Sequence, residues 1–271
     1  MIEAIKARRS VRTYSDRPLD ETVKAQLMDF AKTIENPFGI PVEFRMMDGK
    51  TNNLKCPVIT GTDLYVGGKV QKGPDANLAF GYSFEAFILY AQSLGLGTVW
   101  LGGTMNRKAF EDAMKLESNE MMPCATPIGY PAAAMSMREK MMRAGVKADQ
   151  RKPFGELFYD GDFDTPLTEE RAGQVLCPLE MVRLAPSAVN RQPWRVLLQD
   201  GQVHFFLKRD VSAGSGSDDK PDMQMVDMGI ALCHFQLAAR ECGLSVEFCV
   251  GDFQHLSEQL EYVGTFTVNF L

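Results

Sequence analysis

Hydrophobic positions concentrate in two long segments that are apolar around most of a helix circumference. The first runs from about Asp75 to Leu94 and carries Leu78, Phe80, Phe84, Phe87, Ile88 and Leu89; the second runs from about Asp222 to Cys242. A helix without a polar face is buried, so both are predicted core helices. Gly95 and Gly243 follow them as natural C-terminal stops. Shorter patterns predict a helix over Ile2–Arg9 and another after Asp20, where Val23, Leu27, Phe30 and Ala31 recur at helical spacing. Asn106 is placed to cap a helix reaching Lys115, and Met135 to Arg143 is a basic, Met-rich segment.

Alternation at Val42, Phe44 and Met46 predicts a strand ending near Asp48-Gly49. Cys56–Thr60 reads as a second strand, Lys69–Pro74 as loop, Thr98–Leu101 as a buried strand and Thr126–Tyr130 as a short extended piece. Later come a helix ending near Leu184, a strand over Trp194–Leu198, a turn at Asp200-Gly201 and a partner strand over Val203–Leu207. Residues 213–218 read as a flexible loop, and Ser245–Val250 and Tyr262–Phe270 as strands.

The pattern repeats. Thr165-Pro166-Leu167-Thr168-Glu169 echoes Arg17-Pro18-Leu19-Asp20-Glu21 at an offset of 148, and at that offset Phe80–Leu96 lies over Met228–Leu244 without gaps. Six of seventeen positions are identical, among them Gly81/Gly229, Phe87/Phe235 and Gly95/Gly243. This is the period of a domain, which predicts a duplication: one half over 1–150, a second over 151–271, behaving as one folding unit. The elements together predict an α+β chain with mixed, largely antiparallel sheets flanked by helices.

Composition narrows the class. With 271 residues, 45% hydrophobic and 24% charged, the chain can bury a core without disulfides. A net charge of −6 calls for no nucleic-acid partner. No apolar run is long enough for a transmembrane helix, and the first residues lack a signal-peptide core. Six Cys without a C-x-x-C pair and three His without zinc spacing predict no metal site and fit a reducing cytoplasm.

Three clusters could carry chemistry. Arg8-Arg9-Ser10-Val11-Arg12 packs three cations and a hydroxyl into five residues; it is either a solvated basic patch or a phosphate grip. Ala185-Pro186-Ser187-Ala188-Val189-Asn190-Arg191-Gln192-Pro193-Trp194 is a stiff loop with hydroxyl and amide groups. It could form a turn entering a strand or read the edge of a planar heterocycle. Gly95-Leu96-Gly97-Thr98-Val99-Trp100-Leu101-Gly102-Gly103 follows a helix and precedes a strand, the reverse of a dinucleotide fingerprint. There Gly102-Gly103 could let backbone approach a flat ligand, and Trp100 is either core or stacking platform. A phosphate-binding lysine loop and a nucleophile elbow are absent.

Together these strings resemble the signatures of the FMN-dependent nitroreductase family, and the order of motifs resembles its tandem subgroup, a dimer fused into one chain. The resemblance implies FMN at the junction of the halves and NADH or NADPH as donor. It implies a flat, electron-poor acceptor, such as a nitroaromatic or a quinone, reduced by ping-pong hydride transfer without a nucleophilic side chain. It implies that Arg8, Arg9, Ser10 and Arg12 contact the phosphate and ribityl chain, with Arg151 a weaker match. Pro186, Ser187, Ala188, Asn190 and Gln192 would contact the flavin from half two, while Trp100, Leu101, Gly102 and Gly103 line its face. Many family members carry Glu where Gly102 stands. A fused pair implies a monomer, with further self-association open, and one complete flavin site beside a degenerate one. A non-catalytic flavin carrier, a flavin-dependent dehalogenase or a flavin-remodelling enzyme are the alternative readings.

Overall fold

The computed structural model describes residues 1–210, 220–251, 253 and 259–269. The first half contributes α1 (Ile2–Ala7), α2 (Glu21–Lys32), β1 (Glu43–Asp48), β2 (Leu64–Gln71), α3 (Ala76–Ser93), α4 (Arg107–Met114), β3 (Glu120–Met121), β4 (Ala125–Pro127) and α5 (Met137–Gly145). The rest contributes α6 (Phe154–Leu157), β5 (Phe158–Asp160), α7 (Glu169–Ala172), α8 (Leu176–Leu184), β6 (Trp194–Gln199), β7 (Gln202–Lys208), α9 (Met223–Glu241), β8 (Ser245–Cys249) and β9 (Leu260–Asn269). In the four-stranded sheet, β2 pairs antiparallel with β1 on one side and with β4 and β3 on the other. The five-stranded sheet runs β5-β6-β7-β9-β8, and only its β5–β6 pair is parallel. The expected α+β class with mostly antiparallel sheets is observed.

The two halves share one plan. Residues 97–101 bridge to the β4 region (Gly97 to Gly129, Leu101 to Ala125), so the first sheet reads β1-β2-β4-(97–101), the order of β6-β7-β9-β8. Helices α2 and α7 begin at Glu21 and Glu169, and α3 and α9 end at Ser93 and Glu241, each pair 148 apart. Both long helices stop on a left-handed glycine, Gly95 (φ 76°) and Gly243 (φ 80°). The following leucines donate back to Ala91 O and Ala239 O.

The halves lock where α3 crosses α9. A Cβ on Gly81 would run into the Val226 carbonyl, and a Cβ on Gly229 would run into the Leu78 carbonyl. Leu78 and Val226 are themselves 148 apart, so this contact is made twice around a pseudo-twofold axis. The largest core cluster spans both halves, with Phe80, Phe84, Trp194, Phe205, Phe235 and Phe266 fully buried.

Some elements differ from the sequence expectation. Cys56–Thr60 is a turn; of it only Thr60 makes a bridge, to Thr13. The strand is β2 instead, and it includes Lys69–Gln71, which read as loop. Its two glycines hid it, yet the packing demands them. A Cβ on Gly67 would press on Met114 and Met47, and one on Gly68 on Phe80 and Phe84. Thr98–Leu101 makes isolated bridges rather than a strand. The helix toward Leu184 is broken at Gly173 (φ 52°) into α7 and α8. Asp20 and Asn106 sit at N-cap positions without capping through their side chains; the Asn106 Oδ1 accepts from Lys55 N instead (2.7 Å). The loop at 213–218 and Phe270 lie outside the described residues.

Candidate functional site

Helix α1 ends at Arg8, where the backbone turns extended (φ −63°, ψ 129°). The following residues form a strip held on both sides. Ser10 bridges Thr98 in parallel, while Thr60 N donates to Arg12 O and Tyr14 N donates to Thr60 O. Helix α5 covers this strip. Its Ser136 Oγ caps it by accepting from Glu139 N, Glu139 accepts from Thr13 Oγ1 (2.8 Å) and from Arg9 Nη1 (3.2 Å), and Arg143 Nη1 donates to Ser10 O (3.5 Å). Arg9 is therefore committed to α5.

Arg8, Arg12 and Arg151 gather beside Arg143, which this helix carries. The Arg8 side chain is only 5% exposed. Burial pushes the guanidinium pKa values of Arg8, Arg12 and Arg151 down; Glu85, Glu139 and Asp149 respectively oppose this, while Arg143 adds to it at all three and Arg8 adds to it at Arg151. Arg8 Nε and Nη1, Arg12 Nε and Arg151 Nε are buried without a hydrogen-bond partner. Buried cations with unspent N–H groups are chemically suited to an anion, which would both neutralise them and accept their hydrogen bonds.

The 185–194 loop reaches this cluster from the second half. Asn190 Nδ2 donates to Lys147 O (2.7 Å) and Gln150 O (3.0 Å), and Arg151 Nη1 donates to Asn190 Oδ1 (3.4 Å). The same Nη1 also donates to the carbonyls of Ala148 and Gln150, and Nη2 donates to that of Leu184. Gln192 N donates to Ser187 Oγ (2.8 Å), and Gln192 Oε1 accepts from Lys152 N (2.9 Å). Ala188 N donates to both oxygens of Asp227 (3.0 and 3.1 Å), a carboxyl whose burial raises its pKa well above the ordinary range. Pro186, Ser187 and Ala188 are half-buried. The loop also stores strain: Val189 (φ 46°), Asn190 (φ 58°) and Gln192 (φ 52°) are left-handed. Val189 is β-branched, a poor fit for that region, and it is 63% exposed. Between loop and α5 lies a cavity of about 460 Å³ lined by Val146, Lys147, Arg151, Lys152, Asn190 and Gln192.

The 100–103 segment divides. Trp100 Nε1 donates to Glu85 Oε2 (2.9 Å), and its ring meets Phe80 and Phe84 edge-on, so the indole belongs to the core. Leu101 is buried, with its N–H and carbonyl both spent on Ala125. At Gly102 a Cβ would meet Cys124 Sγ at 3.6 Å and Met223 Cε at 3.9 Å, placing it against the second half; Gly103 faces open space. The structure thus brings Arg8, Arg12 and Arg151 together with Asn190 and Gln192, and sets Arg9 and Leu101 apart.

Sequence reasoning missed Glu85 and His234. Glu85 on α3 and His234 on α9 are both fully buried, with His234 Nε2 2.9 Å from Glu85 Oε1 and Arg8 Nε 3.9 Å from that same oxygen. His234 Nδ1 faces Met181 O at 2.8 Å; a carbonyl only accepts, so Nδ1 carries a proton. The available signal was a lone carboxylate amid Phe84, Ala86, Phe87, Ile88 and Leu89, and a lone imidazole in an equally apolar helix. Among the described residues no group of three or more His, Cys, Asp or Glu is placed to hold a metal, and no helix is long and apolar enough to cross a membrane.

Comparison with known proteins is consistent with this geometry. No curated protein matches the chain significantly. A Thermotoga maritima crystal structure titled a "putative nitroreductase" shares the fold: TM-score 0.60, 22% identity, 98% of this chain and 92% of that one. An FMN-dependent nitroreductase from Clostridium difficile R20291 aligns over 50% of this chain and 90% of its own, at 20% identity and TM-score 0.43. A nitroreductase family protein from Clostridium difficile 630 aligns over 58% and 95%, at 18% identity and TM-score 0.45. The family described as "Putative TM nitroreductase" matches residues 1–239, and this chain belongs to it.

Proposed function

We propose that the chain is an FMN-dependent oxidoreductase that uses NADH or NADPH to reduce flat, electron-poor acceptors such as nitroaromatics and quinones. The observation that carries the cofactor is the arginine cluster. Arg8, Arg12 and Arg151 hold buried N–H groups without partners, and Arg143 adds charge. That donor set fits a dianionic phosphate. The family relationship supplies the rest of the reading. Arg8, Arg12 and Arg151 would hold the phosphate, with Ser10 beside the ribityl chain. The Asn190–Gln192 loop would close over the ligand from the second half, and Gly102 and Gly103 would admit its flat face. When bound, FMN supplies the hydride-accepting and hydride-donating chemistry. The protein's part is to clamp the phosphate, fix the ring and keep bulk water from it.

One site per chain follows from the same offset that relates the halves. At 148 residues from Arg8 and Arg12 stand Glu156 and Asp160, so the equivalent position carries the wrong charge for a phosphate. Purified protein is expected to bind FMN at one per chain, to oxidise NADH or NADPH, and to pass electrons to a quinone. Two tight sites would overturn the one-site assignment, and a chain that binds no FMN would overturn the cofactor. Flavin binding without oxidation of either nicotinamide would overturn the enzyme assignment. Arg12→Ala is expected to weaken FMN binding about ten- to hundredfold, the worth of a charged hydrogen bond.

A further inference from the structure

The arginine cluster poses a problem of orientation. A guanidinium that is 5% exposed needs a favourable electrostatic partner, yet a carboxylate that took its N–H groups would leave none for a ligand. Glu85 meets both demands. It stands 3.9 Å from Arg8 Nε, close enough for attraction and beyond hydrogen-bond distance, and Arg8 Nε and Nη1 stay unspent. Its position is fixed from two sides: Trp100 Nε1 donates to Oε2 at 2.9 Å, and His234 Nε2 lies 2.9 Å from Oε1. His234 is fixed in turn by Met181 O, and it comes from the other half of the chain.

The proton count decides what this pair does to Arg8. Nδ1 of His234 carries a proton toward the Met181 carbonyl. The contact between Nε2 and Oε1 requires one more, held by the imidazole or by the carboxyl. An imidazolium with a carboxylate is net neutral, and so is a neutral imidazole with a carboxylic acid. In either arrangement the pair presents a dipole to Arg8 rather than a full negative charge, and Arg8 keeps its own charge for an incoming anion.

We propose that Glu85 and His234 are positioning residues for Arg8: a net-neutral carboxyl–imidazole pair, built across the junction of the halves, that aims the guanidinium while leaving its charge and donors to a phosphate. The inference rests on the phosphate role of the arginine cluster. It assigns the pair a specificity function, which is preference for a phosphorylated flavin over the same ring and ribityl chain without phosphate. Substituting His234 by a neutral, non-titrating side chain leaves Glu85 as a bare carboxylate that competes for Arg8. Substituting Glu85 removes the aim.

The test compares FMN with riboflavin by fluorescence titration of the full chain. Wild-type protein is expected to prefer FMN. His234→Gln and Glu85→Gln are each expected to lower FMN affinity about tenfold, the worth of one well-placed hydrogen bond, with riboflavin affinity unchanged. A loss acting through Arg8 disappears in an Arg8→Ala background, so the double variants should bind FMN no more weakly than Arg8→Ala alone. Equal loss for both flavins, or full additivity with Arg8→Ala, shows a merely structural role and overturns the proposal. So does wild-type selectivity retained in a folded variant. If one substitution prevents folding, the other carries the same cycle. A wild-type chain that binds both flavins equally overturns the phosphate role itself, and with it this inference.

Discussion

At the scale of single residues, the informative positions are those that break a local rule. Val189 holds a β-branched side chain in the left-handed region while exposing it to solvent. Asn tolerates that conformation and little packing is lost, so Val189→Asn is expected to stabilise the fold by about 1 kcal/mol in urea denaturation. A loop that becomes more stable and binds FMN less well would tie the strain to function. Asp227 breaks another rule as a fully buried carboxyl. Its burial raises the folded-state pKa well above the ordinary 3.8. The folded state then holds its proton more tightly than the unfolded chain, so stability falls as pH rises from the unfolded value through the folded one. Asp227→Asn can still accept from Ala188 N but cannot ionise. It is expected to gain on the native protein by about 1 kcal/mol or more between pH 4.5 and pH 8. A stability difference that does not change with pH would count against this. Neither residue could be singled out from the sequence. Val189 lies in a string whose turn was legible but whose dihedral angles were not, and Asp227 is one acid among many until burial is known.

Among the elements, α3 and α9 were readable because an all-round apolar helix with a terminal glycine has few other meanings. Strand β2 was not, since Val66-Gly67-Gly68-Lys69 looks like a turn until the methionines and phenylalanines pressing on its two faces are seen. The pair Gly81/Gly229 was visible as a shared identity, but its reason is tertiary: each glycine admits the backbone of the opposite helix. Gly81→Ala and Gly229→Ala are each expected to cost about 1–3 kcal/mol or more through overpacking against backbone that cannot yield. Gly145 at the end of α5 meets nothing within 4 Å, so Gly145→Ala serves as a control and should be neutral or mildly stabilising. If all three behave alike in thermal melts, the close crossing does not hold the halves together. The cofactor-binding candidates were legible at this scale as strings, Arg8 to Arg12 for a phosphate and Ala185 to Trp194 for the flavin. Their division of labour was not, because Arg9 pairs with α5 and Leu101 enters the core only through contacts distant in sequence.

For the molecule as a whole, the duplication offset was legible in the sequence, whereas the sharing of the largest core cluster between the halves was not; the first half also holds smaller clusters of its own, around Phe110 and Leu27. The largest hydrophobic cluster takes phenylalanines from both sides of the boundary near residue 150, Phe80 and Phe84 from one and Phe205, Phe235 and Phe266 from the other. Two tryptophans report on the two halves, Trp100 on one and Trp194 on the other. Trp194→Phe and Trp100→Phe variants are therefore expected to unfold in urea with a single, coincident midpoint for each remaining tryptophan and the far-ultraviolet signal. Separate midpoints would mean two folding units.

The crossing of α3 and α9 also changes what a substitution can reach. In a symmetric pair of identical subunits, any residue beside the twofold axis is present twice, so a buried ionisable group introduced on one side is introduced on the other at double the desolvation cost. Here the 148-residue counterparts of Glu85 and His234 are Cys233 and Ala86, both uncharged. Within a single chain the two sides of the axis are separately mutable, and an ionisable pair stands once, beside Arg8, while its mirror image stays uncharged.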